Sequence, residues 1–370
     1  MSIQQLKEHL RHPSVISSLA DDINKLGRTI DQPLRIMEIC GGHTHAIVKN
    51  GLDTLVTQVV RFVHGPGCPV CVLPQSRIDQ ALYLARENGT ILVCLGDMMR
   101  VPGSEGETLQ HCRAQGADVR FVYSPLETLD IARKNPGSSV VFFAIGFETT
   151  TPTTAALVQH TIDAKIPNIK FHINHVLVPP AIDALLHGNR QRPDAFIAPG
   201  HVSVITGWKP YELLSQKHHV PIAVAGFEPI DILEAIRELL ICHIKKIDIT
   251  LNSYHRVVSY KGNHRAQELV DRYFDIRSHF NWRGLGSIPA SALQFREEYS
   301  HLDAETSIPH IPAQDTHPTC QCGAILMGQS HPWECPLFGN ACTPAHPVGS
   351  CMVSNEGACA AYYRYRGVSL

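Results

Sequence analysis

Nine of the twelve cysteines in this chain of 370 residues lie in patterns suited to chemistry. Three are upstream, Cys40 in Cys-Gly-Gly-His-Thr-His and Cys68 and Cys71 in Gly-Pro-Gly-Cys-Pro-Val-Cys. Thiols spaced this closely usually hold a metal or form disulfides. The other six follow residue 319: Cys320, Cys322, Cys335, Cys342, Cys351 and Cys359. Two separated thiol sites in one chain predict chemistry that passes between them.

Four tail thiols suit either a [4Fe–4S] cluster or a structural zinc ion. One such set is Cys322, Cys335, Cys342 and Cys359. Zinc sites usually draw their ligands from tight Cys-x2–4-Cys pairs, which this set lacks, so its spacing favours the cluster. Cys320 and Cys351 could replace their neighbours, and spacing alone therefore leaves the choice of four open.

Cys40 directly follows a predicted strand, and two glycines after it allow a tight turn. With His43 and His45 nearby, its thiolate could bind a borderline metal such as iron or act as a nucleophile beside a base. A buried structural cysteine with two solvent histidines is the alternative. The whole motif, placed at a strand end, favours a functional site.

The spacing of Cys68 and Cys71 allows the two thiols to form a disulfide or to share a metal ion. Because a second Cys-x-x-Cys pair is not nearby, redox exchange is favoured over half of a zinc site.

Glu148 precedes three threonines at a helix entrance, where it is either a functional acid or a helix cap. His201, in Pro-Gly-His-Val-Ser, is either a ligand or a loop residue.

The composition is that of a folded protein, with 44% hydrophobic and 18% charged residues. A net charge of -2 argues against a protein that binds nucleic acid through phosphate contacts. No apolar run is long enough to cross a membrane. The stretch Met1 to Asp21 lacks the apolar core of a secretory signal. We therefore expect a cytoplasmic protein, where structural disulfides are rare and metal is the better use for clustered thiols.

The first 240 residues alternate short apolar runs with helical patterns, which predicts an α/β fold with parallel sheets. Predicted helices include Arg77–Asn88, Pro125–Lys134 and Pro229–Leu240. The predicted strands are Leu34–Ile39, Val59–Val63, Thr90–Leu95, Ala117–Tyr123, Val140–Ile145, Ile169–Asn174, Ala195–Ala198 and Pro221–Ala225.

Three sheet-based segments are too many for one small sheet, so we predict two α/β domains, residues 1–135 and 136–255, and a C-terminal domain, residues 256–370. Gly-Phe-Glu ends a strand twice, at 146–148 and at 226–228. The thiol, histidine and carboxylate candidates follow strands, at the sheet edge where α/β proteins bind ligands.

These motifs together resemble the HypD family of [NiFe]-hydrogenase maturation factors. The resemblance is carried by the Cys40–His45 and Gly65–Cys71 segments, by Gly146–Thr150 and Pro199–Ser203, and by Cys335–Cys342 with Glu356–Cys359. It covers nearly the whole chain in the family's order.

The resemblance implies two Rossmann-like parallel-sheet domains facing a cleft and a small domain with a [4Fe–4S] cluster on Cys322, Cys335, Cys342 and Cys359. It implies assembly of the Fe(CN)2CO group with a HypC-type small chaperone, the iron being held by Cys40. A HypE-type protein would donate cyanide, and the hydrogenase large-subunit precursor would receive the product. Cys68 and Cys71 would be a redox dithiol, while His43, His45 and Glu148 could move protons or orient Cys40.

Two other functions stay open. The chain could be an iron–sulfur-dependent oxidoreductase similar to ferredoxin-linked disulfide reductases, turning over a substrate at Cys68 and Cys71. It could also be a zinc-stabilised α/β protein in which the upstream cysteines are incidental.

Overall fold

The computed structural model describes residues 8–188, 192–311 and 319–367. Two parallel sheets, each flanked by helices, form an α/β protein, and the cysteine-rich tail packs against both. Within the described residues, no helix is both long and apolar enough to span a bilayer.

The strands of the two sheets are short and largely buried, as expected where helices cover both faces of a parallel sheet. They are β1 (Leu34–Glu38), β2 (Val60–His64), β3 (Thr90–Leu95), β4 (Asp118–Val122), β5 (Ser139–Gly146), β6 (Ile169–His175), β7 (Ala195–Pro199), β8 (Ile222–Ala225) and β9 (Thr250–Asn252).

The helices that accompany these strands begin mostly at or next to proline or glycine and present apolar faces to the sheets. They are α1 (Pro13–Gly27), α2 (Gly41–Lys49), α3 (Leu52–Leu55), α4 (Pro69–Val72), α5 (Gln75–Arg86), α6 (Leu109–Ala114), α7 (Glu127–Lys134), α8 (Thr151–Asp163), α9 (Val178–Gly188), α10 (Gly200–Thr206), α11 (Lys209–His218) and α12 (Pro229–Lys245).

Sheet A has the strand order β2-β1-β7-β8-β9, and sheet B has the order β4-β3-β5-β6. In both sheets the second strand along the chain lies on one side of the first strand, and the later strands lie on its other side. The reversal lies between β1 and β7 in sheet A and between β3 and β5 in sheet B. Ligands bind α/β sheets at such switch points, outside the carboxyl ends of the strands. The chain passes from sheet A to sheet B between β2 and β3 and returns between β6 and β7.

The rest of the chain forms short elements that lie over the two sheets. They are α13 (His264–Tyr273), β10 (Phe274–Ile276), β11 (His279–Trp282), β12 (Gly286–Pro289), β13 (Leu293–Phe295), α14 (Cys322–Leu326), α15 (Ser350–Val353) and α16 (Ala358–Arg366), with 3₁₀ turns at Gly96–Arg100, Glu297–Leu302, Ala304–Ser307 and Pro332–Glu334. Strand β10 pairs with β13 and β11 with β12, both antiparallel.

The α/β class and all eight predicted strands are confirmed, each within two residues of its predicted ends. The edge strand β9 was not predicted, because its three residues give too short an apolar pattern.

The predicted domain boundary after residue 135 does not match the pairing of the strands into sheets. It would separate β3 from β5, which pair in register from Thr90 and Ser139 onward. Sheet A instead combines residues before 65 with residues after 194.

The tail has no apolar core of its own among the described residues. One continuous cluster of buried side chains includes Met37 of sheet A, Phe143 of sheet B and Cys322 and Cys359 of the tail. The described part of segment 256–367 is therefore packed as a cover over both sheets, so its fold depends on theirs.

Arg77 ties this cover to sheet B through a buried guanidinium. Its Nε donates to Asn174 Oδ1 at 2.6 Å, its Nη2 donates to the Ile173 carbonyl at 2.8 Å, and its Nη1 contacts Glu305. Arg277 also binds Glu305, at 2.6 Å. Burial alone would raise the pKa of Glu305, but the two guanidinium groups lower it to about 2.

Replacing Arg77 with methionine should lower the free energy of unfolding by about 3 kcal/mol, because a partly buried carboxylate loses a partner. Urea denaturation measures this change. The control is Arg86→Met, which removes an exposed ion pair with Glu107 and should cost about 1 kcal/mol or less. Equal losses in the two variants would show that Arg77 does not anchor the cover.

Candidate thiol and metal centre

Cys40 and His201 meet at the switch point of sheet A, after β1 and β7 respectively. Cys40 is the N-cap of α2, and its Sγ accepts a hydrogen bond from the Gly42 amide at 3.3 Å. The His201 Nδ1 atom lies 3.8 Å from the same sulfur. The structure therefore places a thiol and an imidazole side by side where a ligand is expected.

The Cys40 thiol is almost wholly buried, with 3% of the residue exposed. Burial raises its pKa strongly, and the charge of Glu356 raises it further, while the amides of Gly42 and His43 act in the opposite direction. The free protein thus holds a neutral thiol. A metal ion binding here would displace the proton and stabilise the thiolate.

His43 lies behind this pair and is fixed in a neutral form. Its Nε2 donates to the Gly226 carbonyl at 2.9 Å, and its ring stacks on Phe227 with centroids 4.6 Å apart. Burial lowers the pKa of His43 to about 4 and lowers the pKa of His201 to about 4 as well. The ring of His201 also packs on Phe227, with the ring centroids 5.1 Å apart. Two neutral imidazoles and one phenyl ring therefore form a wall beside Cys40.

His45 is directed away from this wall. Its Nε2 lies 3.0 Å from the hydroxyl of Tyr365, and the two rings meet edge to face at 5.0 Å. Because α2 places residues 43 and 45 on different faces, only His43 shares the surroundings of Cys40. His45 contacts the last helix instead.

Glu148 occupies the switch point of sheet B, after β5. Its Oε1 accepts the Val178 amide at 2.9 Å, while its Oε2 is buried without a hydrogen-bond partner. Burial raises its pKa to about 7. The buried Tyr211 is close enough to both Glu148 and Cys40 for their charges to raise its pKa, after burial itself. The carboxyl edges of the sheets therefore converge.

Cys68 and Cys71 are joined by a disulfide whose Cα atoms are 5.1 Å apart. The loop before them packs directly on the Cys40 turn. A Cβ on Gly67 would lie 2.3 Å from the Cys40 nitrogen, and the Gly67 carbonyl accepts the Gly41 amide at 3.1 Å. Only glycine allows this contact between two backbones.

Ser350 links the disulfide to the tail thiols on the other side. Its hydroxyl donates to the Cys71 carbonyl at 3.2 Å and lies 3.9 Å from Cys322 Sγ. Its own carbonyl lies 3.9 Å from Cys71 Sγ. Two backbone contacts and one serine thus connect Cys40, the disulfide and the tail thiols.

The six tail cysteines gather in one place. The sulfurs of Cys322 and Cys351 are 2.7 Å apart, so Cys351 also belongs to the group. Burial raises the pKa of Cys359 most strongly, and the charges of four neighbouring cysteines raise it further: Cys322, Cys342, Cys320 and Cys335. The Val348 amide donates to Cys342 Sγ at 3.4 Å.

The donor set fits an iron–sulfur cluster on chemical grounds. Five of the six tail cysteines are buried and all of them offer sulfur, which matches the all-sulfur ligand sets of iron–sulfur clusters. Sulfurs around a tetrahedral zinc ion lie about 3.8 Å apart, given Zn–S bonds of about 2.3 Å. Among the described residues, no three tail thiols fall within even 4.8 Å of one another.

Among the described residues, Asp183, His187 and His218 bring three possible metal-ligating atoms within 4.8 Å of one another. Asp183 Oδ1 already accepts hydrogen bonds from His218 Nε2 at 2.6 Å and from Lys217 Nζ at 2.8 Å. With an ammonium group on the only carboxylate of the set, these side chains form a satisfied surface ion network.

The family model described as "HypD: Hydrogenase formation hypA family" matches residues 14–366. The chain belongs to the HypD family. Hydrogenase maturation factor HypD of Escherichia coli K12 is 44% identical over 365 residues, covering 98% of this chain and 95% of its own. HypD2 of Bradyrhizobium diazoefficiens is 47% identical over 341 residues, with 90% of each chain covered, and HypD of Cupriavidus necator is 45% identical over 343 residues, also with 90% of each. The resemblance seen in the motifs is confirmed, and the HypD family is one of hydrogenase maturation factors.

Several residues of this HypD-family site were not predicted. Phe227 belongs to the second Gly-Phe-Glu segment, and that repeat was the signal that could have drawn attention to it. Tyr211 and Ser350 carry no local signal, because their contacts with the site join residues far apart in sequence. Glu356 lies in the Glu356–Cys359 motif, but the motif does not reveal that its charge acts on Cys40.

Changing Gly67 to alanine should lower the free energy of unfolding by about 1–3 kcal/mol, since the new Cβ meets backbone atoms of Cys40 that cannot move aside. Urea denaturation measures the loss. Gly137→Ala is the matched control, because a Cβ there meets nothing within 4 Å. A Gly67→Ala protein as stable as the control would contradict the close packing of the two thiol loops.

Glu148→Gln should remove a pH dependence of stability. Because burial raises the pKa of Glu148 from 4.5 to about 7, the unfolded chain loses its proton first as pH rises. The free energy of unfolding of the unmodified protein should therefore fall between pH 4.5 and 7, by up to about 3 kcal/mol at ~1.4 kcal/mol per unit.

Urea denaturation across this range should show the Glu148→Gln protein gaining stability relative to the unmodified protein as pH rises. The exposed Glu268, changed to glutamine, serves as the control and should show no such trend. Parallel curves for Glu148→Gln and the unmodified protein would mean that the carboxylate is solvated.

Proposed function

We propose that this hydrogenase maturation factor is an iron-binding scaffold on which the Fe(CN)2CO group is assembled together with a HypC-type small chaperone. The observation that carries the proposal is the chain of contacts between three thiol sites. Cys40 touches the loop of Cys68 and Cys71 through Gly67, and that disulfide touches Cys322 through Ser350.

Cys40 is the proposed protein ligand to the iron. Low-spin iron with cyanide and CO needs an electron-rich donor, and a thiolate meets that need. The neutral, buried thiol would lose its proton on metal binding, and the neutral His201, 3.8 Å from the sulfur, is placed to accept a proton or a hydrogen bond. The second thiolate would come from the partner.

Cys68 and Cys71 are the proposed electron donors to the cyanide carrier. Breaking the S–C bond of a thiocyanate-like carrier yields a thiolate and cyanide and consumes two electrons. Oxidation of the dithiol to the disulfide releases two electrons and two protons. The stoichiometry matches, and the disulfide found in the structure is the oxidised form. A HypE-type protein is the proposed carrier, and the hydrogenase large-subunit precursor is the final acceptor.

The tail thiols are proposed to hold a [4Fe–4S] cluster, which would supply electrons one at a time to reduce the disulfide. Their burial and their all-sulfur donor set support this assignment. The expected ligands are Cys322, Cys335, Cys342 and Cys359, although the contact of Cys351 with Cys322 makes it an alternative ligand. His43 and Glu148 are candidates for holding protons near Cys40. We propose that the protein acts in the cytoplasm, where free thiols stay reduced.

The test is anaerobic purification of the protein together with a HypC-type chaperone, followed by infrared spectroscopy of the CN and CO stretches. The unmodified complex should show these bands and contain iron and acid-labile sulfide. Cys40→Ala should lose the bands because the iron loses its thiolate, while keeping the sulfide. Cys242→Ala, which removes a buried thiol from α12, is the control and should keep both.

Unchanged bands in the Cys40→Ala complex would exclude Cys40 as the iron ligand. The second candidate function, a disulfide reductase, is favoured by the contact between the disulfide loop and the tail thiols. It would be supported instead if the protein alone reduced a small disulfide over many turnovers and carried no cyanide-ligated iron.

A further inference from the structure

Arg283 is a buried cation between the disulfide loop and the tail thiols that neither the motifs nor the proposed function explains. Only 7% of the residue is exposed. It lies after β11, in the segment Trp282–Gly286. The next residue, Gly284, packs its backbone on Gly323, so that an added Cβ would lie 2.4 Å from the Gly323 Cα. This contact brings Arg283 to the start of α14, beside Cys322.

Three hydrogen bonds hold Arg283 against the disulfide loop. Its amide donates to the Val72 carbonyl at 2.7 Å, its Nε donates to the Leu73 carbonyl at 2.9 Å, and its Nη1 donates to Gln75 Oε1 at 2.7 Å. These partners are neutral, so they fix the position of the guanidinium without balancing its charge.

The remaining nitrogen, Nη2, is buried and has no hydrogen-bond partner. A buried cation without a counter-charge is strongly unfavourable, so its position indicates a nearby anion. Burial lowers the pKa of Arg283, and thiolates at Cys322, Cys351 and Cys320 counter this most strongly. Asp79 contributes less, and its carboxylate already accepts both the amide and the hydroxyl of Ser104.

We propose that Arg283 is a positioning residue that sets the reduction potential of the tail's thiolate-bound centre by holding one positive charge beside it. The inference rests on the proposed cluster. Reduction adds one negative charge to a centre that four thiolates already make anionic, and a fixed cation favours the more negative state. Because the same side chain binds the disulfide loop at Leu73, the charge would lie between that loop and the thiols that would hold the cluster.

The test compares midpoint potentials of the anaerobically purified protein by redox titration with electron paramagnetic resonance. Arg283→Met should shift the redox equilibrium about tenfold toward the oxidised form, a fall of about 59 mV for a one-electron couple. Arg283→Lys keeps the positive charge, so its midpoint potential should stay close to that of the unmodified protein. Arg133→Met, which removes an exposed charge on α7, is the control and should leave the potential unchanged.

A second measurement covers the case in which the methionine variant holds little cluster. Iron loss to a chelator should be about tenfold faster in Arg283→Met than in Arg283→Lys, since the cation stabilises the anionic centre. If the two variants had the same potential and the same rate of iron loss, Arg283 would be a loop anchor only and the inference would be overturned. If the unmodified protein contained no cluster, the proposed function would fail instead.

Discussion

The contact between Gly67 and Cys40 is the constraint on which the site depends. Two loops from neighbouring strands of sheet A approach until backbone meets backbone, at a distance that excludes even a methyl group. This approach brings a buried thiol next to a disulfide. On its other side the disulfide loop meets Ser350, which touches Cys322. Moving any of these backbones by the width of a side chain would separate the thiol sites.

The two sheets place this contact where α/β proteins bind ligands. Each reverses its winding once, and the candidate groups follow the strands that border the reversal: Cys40 and His201 in sheet A, Glu148 in sheet B. The strands are lined with apolar residues, so the polar groups that follow them are drawn into a dry interior. That burial explains the shifted pKa values. It keeps the thiol of Cys40 protonated and makes His43 and His201 poor bases in the absence of a ligand.

The strands could be predicted because buried parallel strands have a local signature, a short run of branched apolar residues. Their partners could not, because pairing depends on which strands the chain places side by side. Sheet A joins β1 to β7 across more than 150 residues, and no local pattern records this. The motifs identified Cys40, the disulfide pair and the tail thiols. The roles of Tyr211, Ser350 and Arg283 follow from contacts made by the fold, and His45 was grouped with His43 because the motif does not reveal that helix α2 turns it away.

The route of the chain between the sheets has a mechanical consequence. One of the two crossings is the segment that carries Cys68 and Cys71, and the other begins at Val178, whose amide is held by Glu148. The segment that carries the disulfide therefore does two things, because it joins the two sheets and also packs on the Cys40 turn through Gly67. Forming or breaking the bond between these two sulfurs therefore acts on the same short stretch of backbone that spans the sheets and supports the turn of Cys40.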